Sequence, residues 1–289
     1  MSSSLLQLNT IFISILIEAL PFVLLGVFIS GIIQMFITEE MMAKAIPKNK
    51  VGAVFLATFI GALFPACECG IVPITRRLMA KGVPLYAAIP FMFTGPIINP
   101  VVLFSTYVAF GNNWAVVWER SSVALVVAII VGMLLTFQFK TDQTKHSVCV
   151  DVQKKTFGQK LVGTIQHSID EFFSVGKYLI IGALIAASMQ TFMKTSILLD
   201  LGQQDWSAHF VMMGLAYLLS LCSSADAFIG ASFQSTFQDS AIVAFLVFGP
   251  MFDIKNTLMM LSQFKAKFVG ILFIYTFIAV FVFSMLLVR

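Results

Sequence analysis

The chain has 289 residues, of which 59% are hydrophobic and 11% are charged. A soluble domain carries about 25% charged residues, so 18 Lys and Arg with 14 Asp and Glu could not cover a soluble surface. This composition predicts an all-α, polytopic integral membrane protein that lies in the lipid bilayer. It excludes a disordered chain, a nucleic-acid-binding protein and a soluble enzyme with a single anchor.

The first ten residues lack the positive charge of a cleavable signal, so we expect them to be retained. Five apolar runs then follow one another: Ile11–Ile37, Val51–Phe64, Ile71–Lys81, Val83–Phe110 and Trp114–Phe139. A basic polar segment, 140–166, separates them from a second set of apolar runs. We therefore predict a first transmembrane repeat over 1–139, a basic cytoplasmic loop over 140–166, and a second repeat over 167–289.

The second half repeats features of the first in the same order. Phe22–Phe36 aligns with Tyr178–Phe192, Cys67–Cys69 aligns with Cys222–Ser224, and Gly95–Asn99 aligns with Gly249–Asp253. The difference in residue number between matched positions changes by only two over these three matches. Three matches in order indicate an internal duplication.

Charge predicts how the halves are oriented. If 51–81 is a re-entrant hairpin with its tip at Cys67–Cys69, both basic flanks stay on the cytoplasmic side with the central loop. Each half then has three crossing helices plus one hairpin, so the repeats are inverted. The matching hairpin, 209–238, has no Lys or Arg and would enter from outside. The alternative, in which each arm crosses completely, would place Arg76, Arg77 and Lys81 outside.

Paired breaks in the membrane helices point to the binding site. Interrupted helices in matching positions of two repeats are typical of a transporter's midplane site, although Gly and Pro can also cause simple kinks. The predicted breaks involve Pro65, Gly70, Gly95, Pro96, Pro100, Gly249 and Pro250. The predicted substrate-binding residues beside them are Cys67, Glu68, Cys69, Asn99, Cys222, Ser223, Ser224, Asp226 and Asp253.

Thiols and carboxylates together suit a borderline or soft cation, such as Zn(II) or Cd(II), or an As(III) species. The predicted ligands of this cargo are Cys67, Glu68, Cys69, Cys222 and Asp226. The thiols, including Cys149 in the loop, are expected to be free, and no resident cofactor is predicted. Alternatively, the acids only accept hydrogen bonds from backbone N–H groups at the hairpin tips, and Asn99 holds its broken helix.

Other charged residues have simpler interpretations. Glu18 lies within the first apolar run as either an ion relay or an interfacial residue. Arg76, Arg77 and Lys81 are interpreted chiefly as positive-inside determinants.

The motifs Phe64–Gly82 and Gly95–Leu103, with Leu219–Ala227 and Phe248–Lys255, resemble a known family over nearly the whole chain. It is the predicted-permease family that includes the bacterial arsenical efflux permease ArsP and related heavy-metal exporters. The resemblance implies a multi-pass permease of the bacterial plasma (inner) membrane. It is closest to Bacillus-type members that work beside a second small membrane protein. Where many members carry Glu in the second motif, this chain has Ser224, which leaves Asp226 as the acid there.

These observations predict a secondary transporter for a small inorganic or organometallic substrate, and not an enzyme. No phosphate-cradling loop is present in the sequence, and the intramembrane thiols have no His beside them to act as a base. We expect efflux coupled to protons. The alternative is a membrane subunit or scaffold that transports only with a second membrane protein, and a homo-oligomer is also open.

Overall fold

The computed structural model describes residues 2–47, 49–64, 66–138, 157–192, 205–219 and 221–288. These residues fold into helices joined by short connections, which confirms the all-α prediction. The helices are α1 (Ser2–Phe36), α2 (Glu39–Ala45), α3 (Lys50–Leu63), α4 (Glu68–Ala80), α5 (Leu85–Ile98), α6 (Pro100–Ala109), α7 (Trp114–Gln138), α8 (Phe157–Phe192), α9 (Asp205–Leu219), α10 (Ser223–Ser232), α11 (Asp239–Met251), α12 (Ile254–Gln263) and α13 (Ala266–Leu287).

Five helical stretches in the described residues are long and apolar enough to cross a membrane: α1, α7, α8, α11 with α12, and α13. The pair α5 and α6, bent by 41° at Asn99, makes a sixth if it is counted as one span. The chain is therefore a multi-pass membrane protein, as its composition predicts.

The two predicted hairpins consist of short helices. α3 has 14 residues and α4 has 13, which at 1.5 Å per residue gives about 20 Å for each arm. The hydrocarbon core of a bilayer is about 30 Å thick. Neither arm alone is long enough to cross it, and the re-entrant arrangement stays a prediction.

The helix order repeats: α3 to α7 correspond in turn to α9 to α13. Packing repeats too, since α3 lies on α5 as α9 lies on α11, and α4 contacts α12 as α10 contacts α6. Matched residues also occupy the N-cap positions, directly before matched helices. Asn99 and Asp253 cap α6 and α12, and Cys67 and Cys222 precede α4 and α10. These matches support the duplication, while the inverted relation of the halves stays a prediction.

Several predicted break residues lie inside helices instead. Gly95 and Pro96 belong to the end of α5, Gly249 and Pro250 to the end of α11, and Gly70 to α4. The chain breaks just after them, at Asn99 and at Phe252 with Asp253. Pro100 occupies the first turn of α6, where its missing N–H would have had no helical partner.

The glycines are explained by close packing. A Cβ atom on Gly26 would lie 2.5 Å from the carbonyl oxygen of Gly70, so the backbones of α1 and α4 touch. A Cβ atom on Gly249 would lie 3.1 Å from Oδ2 of Asp226. Both glycines therefore let other elements approach the helix backbone closely.

The predicted central loop is shorter than its assigned bounds. α8 begins at Phe157, so the last ten residues of the predicted segment 140–166 are helical. Residues 139–156, with Cys149, lie outside the described residues, as does the predicted break at Pro65.

Candidate functional site

The beginnings of α4, α6 and α10 meet in the interior of the protein. The hydroxyl group of Ser223, the first residue of α10, donates a 3.0 Å hydrogen bond to Oε2 of Glu68, the first residue of α4. The two residues come from different halves of the chain. Helix N-termini carry partial positive charge, so a carboxylate at this junction is stabilised by the backbone around it.

A cavity of about 120 Å³ lies at this junction. Phe22 and Val101 border it, and both are exposed, so the cavity reaches the molecular surface between α1 and α6. It is lined by Phe22, Ala66, Cys67, Pro96, Asn99, Val101, Val102, Cys222, Ser223 and Ser224. Five of the predicted binding residues thus share one cavity, with one thiol from each half.

A smaller cavity adjoins the same thiols. Its lining includes Cys67, Glu68, Cys69 and Cys222 from the hairpin tips, together with Glu18 of α1 and Lys255 of α12. The three cysteines are not disulfide-bonded, as predicted. Glu18 therefore lies beside these thiols; its side chain is exposed, and it accepts a hydrogen bond from the thiol of Cys222. Its roles as an ion relay and as an interfacial residue both stay predictions.

Three carboxylates lie behind these cavities, and each is almost fully buried: Glu68, Asp226 and Asp253. Oδ1 of Asp253 accepts a 2.5 Å hydrogen bond from the backbone N–H of Asn256, which caps α12. Its other oxygen, Oδ2, lies 3.6 Å from Nζ of Lys255. One oxygen of Asp253 thus caps the helix, and the other faces the ammonium group of Lys255.

Asn99 plays the matching structural part in the first half. Its Oδ1 accepts a 3.0 Å hydrogen bond from the N–H of Val102, and its Nδ2 donates to the carbonyl oxygen of Gly95. The side chain therefore satisfies backbone groups on both sides of the break. This agrees with the alternative that Asn99 holds the broken helix, and it also lines the cavity.

Two buried cations were missed by the sequence interpretation. Arg120 of α7 is 0% exposed; it donates to Oγ1 of Thr106 at 2.7 Å and to the carbonyl oxygen of Ser223 at 3.2 Å. Lys255 is buried and interacts electrostatically with Asp253, Glu68 and Asp226. Two cations therefore face three carboxylates. Lys255 follows Asp253 by two positions, so the motif around Asp253 could have indicated it. No sequence pattern near Arg120 indicates that it lies close to Ser223.

The five predicted metal ligands do not form a preorganised metal site. Within the described part of the chain, no three His, Cys, Asp or Glu side chains are grouped so that they could hold an ion. Glu68 is instead engaged by Ser223, and Asp226 packs against Gly249. Metal contact through this set stays a prediction.

The basic residues at the end of α4 are not solvated loop charges. Nε of Arg77 donates to Oε2 of Glu171 at 3.2 Å, and Arg76 lies 3.7 Å from the other oxygen of that carboxylate. Nζ of Lys81 donates to the carbonyl oxygen of Gln34 at 2.8 Å. These residues tie α4 to α1 and α8, so topology alone does not explain them.

Comparisons with known proteins agree with this architecture. A Bacillus subtilis protein, UPF0718 protein YcgR, is 60% identical over 98% of both chains. A Streptococcus mutans protein, named as a subunit of a two-component membrane permease complex, is 50% identical over 92% of this chain and 90% of its own. UPF0718 protein MJ0584 of Methanocaldococcus jannaschii is 26% identical over 55% of this chain and 44% of its own.

No solved structure matches the chain. The family described as "Predicted permease" (ArsP_1) matches residues 4–288, nearly the full length. With its multi-pass helical architecture, the chain belongs to the ArsP_1 family of predicted permeases.

Proposed function

We propose that this permease exports a metal or metalloid ion, of the Zn(II) or Cd(II) type or a trivalent arsenical, across the bacterial plasma membrane. The observation that carries the proposal is that Cys67 and Cys222, one from each half, line one cavity with Asn99 and Ser223. Sulfur ligands select soft and borderline cations. The outward direction is supported by the resemblance to efflux permeases.

Protons are the proposed coupling ions. Moving a positive charge outward against a membrane potential costs about 2.3 kcal/mol per 100 mV, so an exported cation needs an ion that moves inward. A ligand carboxylate must lose its proton before it binds a metal. Glu68, Asp226 and Asp253, all buried behind the cavity, are the proposed exchanging groups. Arg120 and Lys255 face these acids and offset part of the charge that the acids carry once they lose their protons.

The test is flux into or out of proteoliposomes loaded with Zn(II), Cd(II) or As(III). We expect Cys67→Ser and Cys222→Ser each to lower flux at least tenfold, because each removes a sulfur donor from the cavity. Cys149→Ser is the matched control, since Cys149 lies in the central segment, and it should retain parental flux. Unchanged flux in the Cys67→Ser, Cys222→Ser double variant would contradict the thiol site.

A second candidate is that the chain is one subunit of a membrane complex and transports only with its partner. The similarity to the S. mutans subunit of a two-component membrane permease complex favours this candidate. Reconstitution of the purified chain alone, and of the complex purified from native membranes, separates the two. Flux only from the complex supports the subunit function, and equal flux from the chain alone excludes it.

A further inference from the structure

The candidate site already contains a positive charge where a cation is proposed to bind. Lys255, the second residue of α12, lines the smaller cavity together with three thiols: Cys67, Cys69 and Cys222. Its side chain is 4% exposed, and its Nζ lies 3.6 Å from Oδ2 of Asp253. The cavity has a volume of about 10 Å³, which is room for one water molecule at most. The lysine side chain therefore takes up space that a bound ion would need.

Packing keeps the charge of Lys255 inside the protein. A Cβ atom on Gly182 of α8 would lie 2.9 Å from Cα of Lys255, so the backbones of α8 and α12 touch at this point. A lysine near a helix end in a membrane usually extends its ammonium group to the membrane surface. This lysine is covered by α8, and its charge interacts instead with three buried acids: Asp253, Glu68 and Asp226.

The duplication shows that the lysine belongs to one half only. The match between Asn99 and Asp253 aligns Val101 with Lys255. The first half therefore has an amide and a valine at these positions, and the second half has an acid and a lysine. Capping requires neither charge, because Asn99 caps α6 with a neutral side chain. The charges of Asp253 and Lys255 therefore serve something other than capping.

Hard cations would compete for a site of this composition. Carboxylate oxygens are the preferred ligands of Mg(II) and Ca(II), which are abundant in cells. Discrimination against a competing ligand is often achieved by an element that repels it. An ammonium group repels every cation, but a thiophilic cargo also gains bonds to sulfur, and these bonds offset the cost of displacing the ammonium group.

We infer that Lys255 is a specificity-determining residue, whose ammonium group excludes hard divalent cations from the acids beside the thiols and is displaced by a thiophilic cargo. Within the part of the chain that the structure describes, no three ligand side chains converge to hold an ion while the ammonium group faces these acids. This arrangement agrees with exclusion. The inference rests on the proposed function and adds how the site rejects competing ions.

The test is binding of Ca(II) and Mg(II) to the purified chain in detergent, measured by isothermal titration calorimetry and thermal unfolding. Lys255→Met keeps the length of the side chain, removes its charge and adds a thioether, which hard cations do not favour. We expect this variant to bind Ca(II) at least tenfold more tightly than the parent, and Ca(II) to raise its unfolding temperature. Lys267→Met, at an exposed lysine of α13, is the matched control and should behave like the parent.

Two further variants show where the gained binding occurs. Adding Asp253→Asn to Lys255→Met should abolish it, because an acid that faces the lysine is removed. Lys255→Gln is a second uncharged variant, for use if Lys255→Met does not fold.

Three results would overturn the inference. They are parental Ca(II) affinity in the uncharged variants, tighter binding that persists in the double variant, and a loss of folded protein that Ca(II) does not reverse. The measurements need no thiophilic cargo. Gained Ca(II) binding in a chain without Cd(II) or As(III) flux would therefore reject the proposed cargo and leave the exclusion of hard cations by Lys255 standing.

Discussion

The hydroxyl group of Ser223 and the carboxylate of Glu68 join the beginnings of α10 and α4, 155 positions apart in the chain, through a 3.0 Å hydrogen bond. Both residues lie at the first position of a helix, so the bond fixes two helix beginnings relative to each other. A hydrogen bond to a charged group is worth about 1.5–3 kcal/mol. This contact therefore contributes substantially to the geometry of the cavity that Ser223 also lines.

Removing this hydroxyl should loosen the site. We expect Ser223→Ala to lower the free energy of unfolding by about 1.5–3 kcal/mol, because the buried Glu68 loses a donor, and to reduce flux. Thermal unfolding in detergent and proteoliposome flux measure the two effects. Ser232→Ala, at the exposed end of the same helix, is the control and should change neither. Equal unfolding temperatures for the two variants would contradict the assigned role of the bond.

Asp253→Asn should leave the fold intact and weaken the coupling of flux to protons. Asn99 caps its own helix in the matching position, so an amide at 253 can still accept the bond from Asn256 and the protein should fold. The variant lacks one of the three proposed exchanging carboxylates, so flux should respond less to a pH gradient than in the parent. The measurement is flux with and without an imposed gradient, in parent and variant. A parent indifferent to the gradient, or a variant that responds fully, would end the proton-coupling proposal.

Arg120 should contribute strongly to the stability of the fold. Arg120→Ala leaves Thr106 and the carbonyl oxygen of Ser223 without their donor, and the acidic centre without a counter-charge. Loss of one partner from a buried charged contact costs about 3–5 kcal/mol, so we expect a comparable loss of stability in detergent. Arg120→Lys keeps the charge but cannot reach both acceptors in the same way, and it should be intermediate. An Arg120→Ala protein with parental stability would show that the contact is dispensable.

Glu171 should stabilise the C-terminal end of α4. Glu171→Gln leaves Arg76 and Arg77 without the carboxylate that they share, and should destabilise the protein by about 3–5 kcal/mol. The adjacent Asp170 is exposed and provides a matched control as Asp170→Asn, which should be neutral. Both are measured by thermal unfolding at low and high salt. A buried pair is screened little, so a large salt effect on the difference would argue against burial.

Composition and the long apolar runs were enough to predict the helical class, and the resemblance carried by the motifs was enough to predict the family. Cys67 and Cys222 meet at one cavity because the duplicated motifs place them at equivalent helix beginnings. Gly70 and Gly249 were predicted as helix breaks but lie inside helices, where another element touches their backbone. A contact distant in sequence leaves no local pattern. Arg120 was missed for the same reason, since its acceptors lie 14 and 103 positions away.

The touching backbones at Gly26 and Gly70 have a mechanical consequence. Because no side chains separate the two backbones at this point, α1 and α4 cannot slide or rotate past each other without a steric clash. α1 and α4 therefore move as one rigid body, and the ion pairs of Arg76 and Arg77 with Glu171 connect this body to α8. Any motion that opens the cavity alternately to the two sides of the membrane must be hinged elsewhere, at Asn99 and at Phe252 with Asp253, where the chain already bends.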